Sequence, residues 1–294
     1  MAVSTAGMVA RQRFGEALKK VRLDARTPKG APIKQIDAAR AIKRRTIDRV
    51  SRFERGAAWP EPAELQTLLR LYDADIPTSV RLETMLEAGT AITETWWQGF
   101  EDEFPESLIE FVAYEDSARE ITTCTPNILP GLLQTREYGR TLTHYLAKST
   151  AKPQSVDRSV ELRARRRDIL FKDSRPTVEV LIGEAALRQK VGGRDVMLAQ
   201  LDALLEDATE RGVIFRVIPF EANATLTYTF HFLSFGGTES PIAAFDAMTG
   251  MTFRKSLKET RGLKGFLDDL RELALSPTDS FEKIETIRKE LSRD

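Results

Sequence analysis

The apolar residues of this chain are spaced as helices alone in its first part and as both helices and strands further on, which limits the folds open to it. From Arg13 to about residue 118 they recur at helical spacing, as in Phe14, Leu18 and Val21, then Leu65, Leu68, Leu69 and Tyr72, then Leu82, Met85 and Leu86. Further on, Thr177 to Ile182 and Val213 to Ile218 are β-branched runs separated by helical stretches, and Tyr228, Phe230 and Phe232 alternate with Thr229 and His231. Ile242 to Asp246 and Met251 to Arg254 read as further antiparallel strands, and Leu263, Phe266, Leu267, Leu270 and Leu273 as a helix stripe. The expected fold is mostly α with an α+β second domain: five N-terminal helices, then a mixed sheet flanked by helices. At 294 residues the chain has about twice the common domain length, which agrees with two domains.

Composition narrows the function classes. Hydrophobic residues at 41% and charged residues at 30% suit a globular chain with real cores. No apolar run approaches the roughly 18 residues of a membrane span, and the first ten residues lack the basic start and apolar block of a signal peptide. A cytoplasmic protein with no membrane partner is expected. Cys124 is the single cysteine and His144 and His231 the only histidines, so neither a disulfide nor a zinc site is expected, and no metal or cofactor. Gly192-Gly193 follows a helix and lacks a phosphate-loop pattern. No serine or cysteine sits in a nucleophile motif, and the Asp268-Asp269 pair lies on a surface helix, so the chain is not expected to be an enzyme.

Charge is segregated although the total is zero. Residues 1–56 carry 15 basic and 5 acidic side chains, whereas residues 57–125 carry 3 basic and 15 acidic ones. A small basic domain at one end is the electrostatic footprint of phosphate-backbone binding, because each neutralised phosphate releases condensed counterions. The alternative is a solvated charged face.

Within the basic head the spacing predicts helices over about 11–25, 33–42 and 47–55, with Thr46 as N-cap of the third and Gly56 as its stop. Ile47, Val50 and Phe53 are expected to face inward, leaving Asp48, Arg49 and Arg52 outward with Arg44, Arg45 and Thr46 at the entrance. Pro60 and Pro62 open a fourth helix and a fifth runs from about Ser79 to Gly89. Two short helices joined by a tight turn, with arginines on the outer face of the second, are the layout that enters the DNA major groove.

The run Gln35 to Ala39, then Thr46 to Gly56 with its Ser-Arg-Phe-Glu-Arg-Gly string, then Trp59-Pro60, resembles the lambda-repressor-like class of bacterial helix-turn-helix regulators. The resemblance implies that Gln35 contacts the phosphate backbone and braces the recognition helix, and that Glu54 captures an arginine of helix one. Lys43 stands where that turn usually has glycine, and the segment between helices two and three is about one residue longer.

Trp96 to Phe100 and the acidic Glu101 to Phe104 read as a linker helix, followed by a helix near 106–118. The organisation expected is therefore a helix-turn-helix domain over 1–90, acidic connecting helices over 91–125 and an α+β sensing or partner-binding domain over 126–294. In the last, Ile128 to Thr135 is a turn with Thr135 as N-cap, helices are expected over about 153–172, from 183 to 191 and over 194–211, and Ser276 to Asp279 caps a final one. Pro130 to Thr135 with Tyr138, Arg163 to Arg167, Gly183 to Leu187, Gln200-Leu201 and Val217 to Phe220 resemble the C-terminal domain of WhiJ-like regulators, a domain of unknown function. That resemblance implies a regulator, often encoded beside small partner proteins that are in some cases toxin-antitoxin-like.

The reading is a sequence-specific transcriptional regulator, a homodimer on double-stranded DNA, whose second domain binds a small protein encoded nearby or a ligand. Leu132, Leu133, Gln134, Tyr228 and Phe230 are the residues expected to touch it, because apolar and aromatic groups there meet turn chemistry. The alternative is an antitoxin-like or scaffold protein that neutralises a partner, with DNA binding secondary.

Overall fold

The structure is a computed structural model that describes residues 5–28, 30–91, 95–147, 153–222, 226–236, 239–247 and 250–293. It divides into two compact units, Met1–Gly99 with Gly237–Ser240, and Phe100–Gly236 with Pro241–Asp294.

Among the described residues the first unit holds five helices: α1 (Thr5–Asp24), α2 (Gln35–Ala41), α3 (Asp48–Glu54), α4 (Pro62–Leu71) and α5 (Ile76–Ala91). Phe14, Leu18, Ala38, Ala39, Val50, Phe53, Leu65, Leu68 and Leu82 meet in one buried cluster, to which each helix contributes its apolar stripe. Three of these helices stop in the same way. After α2, Lys43 N–H bonds the Arg40 carbonyl and Arg44 N–H the Ala39 carbonyl; after α3, Gly56 and Ala57 repeat this on Phe53 and Arg52; after α4, Asp73 and Ala74 repeat it on Arg70 and Leu69. This double bond needs a left-handed residue at its centre. Lys43 has φ +58, Gly56 +66 and Asp73 +50. Gly56 is required twice over, because a Cβ there would also fall 2.6 Å from Gln12 Cα.

Two expectations fail at the start of α3. Its N-cap is Ile47, which has no side-chain cap bond, and Thr46 lies one residue before it. Ile47 is 45% exposed, because the helix begins at Asp48 and its buried stripe is Val50, Phe53 and Glu54. Ile47 stands with exposed residues 43–46 at the tip of the turn.

The second unit is built on a six-stranded mixed sheet of order β3-β2-β1-β4-β5-β6. Its strands are β1 (Glu120–Thr125), β2 (Thr177–Gly183), β3 (Ile214–Ile218), β4 (Phe230–Ser234), β5 (Ile242–Ala247) and β6 (Gly250–Arg254). The first three run parallel and the last three form an antiparallel meander joined to β1 through β4. Among the described residues seven helices accompany it: α6 (Glu106–Ser117), α7 (Arg136–Ala147), α8 (Pro153–Arg167), α9 (Glu184–Arg188), α10 (Arg194–Glu210), α11 (Leu257–Leu273) and α12 (Pro277–Arg293). Because side chains alternate across a strand, the sheet has two distinct faces. Cys124, Leu181, Phe230, Phe232 and Ala243 pack with Leu267 and Leu270 of α11 on one of them. On the other, Thr123 lies beside His231, whose ring is 4.7 Å from that of Phe111 on α6.

Residues 100–125 are therefore part of the second unit and not connecting helices. The Thr-rich run Glu120–Thr125 is β1, bonded on both edges, as suits β-branched residues in a central strand. The helix expected at 96–100 is reduced to a single 3₁₀ turn, Gln98–Phe100. α8 ends at Arg167 in a second 3₁₀ turn, Asp168–Phe171, and α9 ends at Arg188, short of Val191. The expected caps are present: Asp279 N–H bonds Ser276 Oγ at 3.1 Å and Tyr138 N–H bonds Thr135 Oγ1 at 3.4 Å.

Candidate nucleic-acid interface and a cavity in the second unit

In the first unit α2, the turn over 42–47 and α3 rest on a buried polar brace. Glu54 accepts from Arg22 of α1 at 2.5 and 2.8 Å and from Gln35 Nε2 at 2.8 Å, and Arg22 Nη1 also donates to the Ile33 carbonyl at 3.0 Å. The bond from Glu54 holds the Arg22 guanidinium in its charged form against the penalty of burial. Gln35 thus ties the first residue of α2 to the last of α3. Glu54 captures an arginine of helix one, as the resemblance implies.

In front of this brace Lys43, Arg44, Arg45, Thr46, Asp48 and Arg52 are exposed. Arg49 is not on the open face. Its Nε and Nη2 each donate to Glu64 at 2.7 Å, and its guanidinium carbon lies 5.1 Å from the Phe53 ring centre. Arg44 Nη2 approaches the same carboxylate at 3.4 Å. Burial pushes the Glu64 carboxyl up, but the bonds from Arg49 and the Glu61 backbone hold it below the usual carboxylate range. Glu64 is also the N3 acid of α4, accepting from the Glu61 N–H at 3.0 Å.

The second unit contains a cavity of about 420 Å³ where the parallel and antiparallel halves of the sheet meet. Leu108 and Phe111 of α6, Leu129, Leu142 and Met251 form apolar wall, while Arg163, Arg166, His231, Asp246 and Gln134 line it with polar groups. α8 delivers Arg163 and Arg166 one turn apart on the same face. Arg166 is committed: it donates to Glu115 at 2.7 and 3.0 Å and lies over Phe111 at 5.1 Å. A Cβ at Gly131 would come within 2.8 Å of its Nη1, so the glycine of the Pro-Gly-Leu-Leu-Gln-Thr string makes room for it.

Arg163 is only half committed. Both its hydrogen bonds leave from Nη1, to Thr143 Oγ1 at 3.0 Å and the Ser159 carbonyl at 3.1 Å, and no ion pair holds it among the described residues. Burial, then the neighbouring Arg166 charge, push its pKa down to about 10, which leaves it charged at neutral pH. In the same lining His231 Nδ1 is 2.9 Å from Thr123 Oγ1, and its Nε2 is 3.4 Å from Asp246 Oδ1. Burial works against the Asp246 carboxylate, but His231, Arg166 and Arg163 hold it below the usual range. Gln134 is 5% exposed; its Nε2 bonds the Leu129 carbonyl at 2.8 Å while its Oε1 is buried without a partner.

Of the residues expected to touch a partner, only Gln134 lines this cavity. Leu132, Leu133 and Phe230 are core, with no surface to offer, and Tyr228 is 73% exposed away from them. The turn at 130–135 is inward-facing because Gln200 fastens it, accepting from Thr135 N–H at 2.7 Å and donating to the Leu133 carbonyl at 2.9 Å. Glu184, in the string Gly183 to Leu187, is fully occupied by Arg188, Lys283 and the Phe220 N–H. The sequence reading missed Arg163 as a separate case because it lies in a run of arginines that looks like one solvated face. Burial pushes the Cys124 thiol up to about 12, which suits a filler. Among the described residues no cluster of three metal-ligating side chains occurs, and no helix is long and apolar enough to cross a membrane.

One protein-family model, described as a domain of unknown function (DUF5753), matches residues 108–286, and the chain belongs to that family. The match covers the sheet, most of α6, α7 to α11 and part of α12. No curated protein and no solved structure matches the chain.

Proposed function

We propose that the chain is a sequence-specific DNA-binding regulator of the lambda-repressor-like class whose second unit is its sensing element. The observation that carries this reading is the exposed cationic tip, Lys43 to Thr46 with Arg52, held in front of the Arg22–Glu54–Gln35 brace. A rigid short helix presenting cations and hydrogen-bond donors is what major-groove readout requires. Arg45, Thr46, Asp48 and Arg52 are the base-reading candidates, and Arg44 and Lys34 serve the phosphate backbone. One such unit reads few base pairs, so the protein acts as a homodimer on an inverted repeat with half-sites roughly 34 Å apart. Whatever binds the second unit and changes DNA affinity has its own affinity changed by the same factor.

The test is selection of random duplexes on the full-length protein, followed by fluorescence anisotropy. A recovered inverted repeat bound at least about 10³-fold more tightly than random DNA supports the reading. Equal affinity for all sequences refutes it.

A further inference from the structure

The cavity beside α8 has an uncommitted cation, Arg163, and a half-exposed carboxylate, Asp246, in one lining. Arg163 keeps Nε and Nη2 without a protein acceptor among the described residues, although both its neighbours in charge, Arg166 and Asp246, line the same space. Arg166 is paired with Glu115 through Nε and Nη2, so its charge is neutralised there, whereas Arg163 has no such partner. Asp246 is oriented by His231, which is itself fixed through Thr123. Among the described residues no ion pair joins Arg163 to Asp246, so the guanidinium has no counter-ion within the cavity it lines. The buried Gln134 Oε1 adds an unfilled acceptor in the same wall.

A volume of about 420 Å³ lies within the range of small-molecule sites, which pair mostly apolar walls with a few placed polar groups. A guanidinium edge with two free donors matches a carboxylate bidentately. We propose that this cavity binds a small organic carboxylate with an apolar body, its acid on Arg163, its body against Phe111, Leu108 and Leu142, and an ammonium or hydroxyl donor toward Asp246. This deepens the reading of the second unit as a sensing element and does not rest on DNA binding.

The experiment is calorimetric and thermal-shift titration of the full-length protein, without DNA, using three probes at up to about 10 mM, the range that weak cavity ligands need. The probes are 3-phenylpropionate, L-phenylalanine and phenethylamine, which share one body and differ in acid and amine. Saturable binding of the two acids, with L-phenylalanine the tighter and phenethylamine inert, is the expected result. Arg163→Met should weaken both acids at least about tenfold, and Arg163→Lys should recover part of that loss. Asp246→Asn should remove only the advantage of L-phenylalanine. Circular dichroism and the unliganded melting temperature establish that each variant is folded. Binding of none of the probes, binding of phenethylamine alone, or acid binding unchanged in a folded Arg163→Met protein overturns the proposal. With no DNA in the assay, such a failure leaves the DNA-binding reading standing, and loss of that reading leaves this result standing.

Discussion

Arg49 of α3 is held by Glu64 of α4 through two hydrogen bonds of 2.7 Å, so the arginine in the first turn of the candidate recognition helix is occupied by its own fold. The pair locks α3 to α4 and removes Arg49 from the set of free base-reading groups. Substitutions should therefore separate by role. Arg45→Ala or Arg52→Ala should relax sequence preference by about 1–3 kcal/mol at one base pair. Arg49→Ala should cost less in discrimination and up to about 1 kcal/mol in stability, the usual size for a partly exposed pair. Glu64→Gln should raise affinity for all duplexes, because it frees Arg49 and removes a negative charge from the cationic tip. Anisotropy on specific and random DNA, with melting of each variant, checks this; the largest loss of preference in Arg49→Ala would contradict it.

The Arg22–Glu54 pair is a different case because both groups are buried. Glu54→Gln keeps the shape but turns one acceptor oxygen into an NH2 donor facing Arg22 or Gln35, and it leaves Arg22 charged without a counter-ion. Breaking one side of a buried pair costs about 3–5 kcal/mol. The variant should lose most of the cooperative unfolding of the first unit. Gln35→Ala, which removes only one bond to the same carboxylate, should cost about 1 kcal/mol. Urea titration followed by far-UV circular dichroism measures both, and a Glu54→Gln cost no larger than that of Gln35→Ala would show the brace to be unimportant.

Local chemistry carried much of this fold into the sequence. Ser276 with Asp279, Thr135 before α7, and Gly56 after α3 can be read as caps because each acts within four residues of itself. Relationships between distant elements could not be read in that way. Glu64 lies 15 residues from Arg49 and meets it only once α3 and α4 pack. β1 was hidden because Glu120, Thr122, Thr123 and Thr125 are polar, and their place in the middle of the sheet depends on β2 and β4. The cavity was illegible for the same reason: Arg163 on α8 and Asp246 on β5 share it only through the tertiary fold. Gln134 was legible in the sequence, as a polar side chain beside Thr135 at the end of an otherwise apolar turn.

Lys43 offers a direct test of the turn. It holds φ +58, a conformation that costs an L-residue roughly 1–2 kcal/mol and glycine almost nothing. Part of that gain is offset by the greater freedom of glycine in the unfolded chain. Lys43→Gly should stabilise the protein by up to about 1 kcal/mol, and removal of an exposed positive charge should at the same time weaken binding to all DNA alike. Lys43→Ala makes the control, losing the charge without relieving the backbone. A melting temperature for Lys43→Gly no higher than for Lys43→Ala would mean that the left-handed turn is not a source of strain.

Glu179 of β2 joins sheet and helix by accepting from Arg216 of β3 at 2.8 Å and Arg271 of α11 at 2.6 Å. Burial raises its carboxyl pKa, but the bonds from Arg271 and Arg216 outweigh it and hold the group below the usual carboxylate range. Cys124 on the same face and Asp268 beside Arg271 complete its charged and titratable surroundings. A carboxyl depressed in the folded state binds its proton first in the unfolded chain. Its contribution is thus complete above the unfolded value, about 4.3, and is lost as pH falls through the lower folded value. Stability measured by urea titration should therefore decline on acidification below about pH 5. Glu179→Gln should be less stable at pH 7 and show a shallower decline over the same acid interval. Parallel curves for the two proteins down to pH 3 would remove Glu179 as a source of the acid limb.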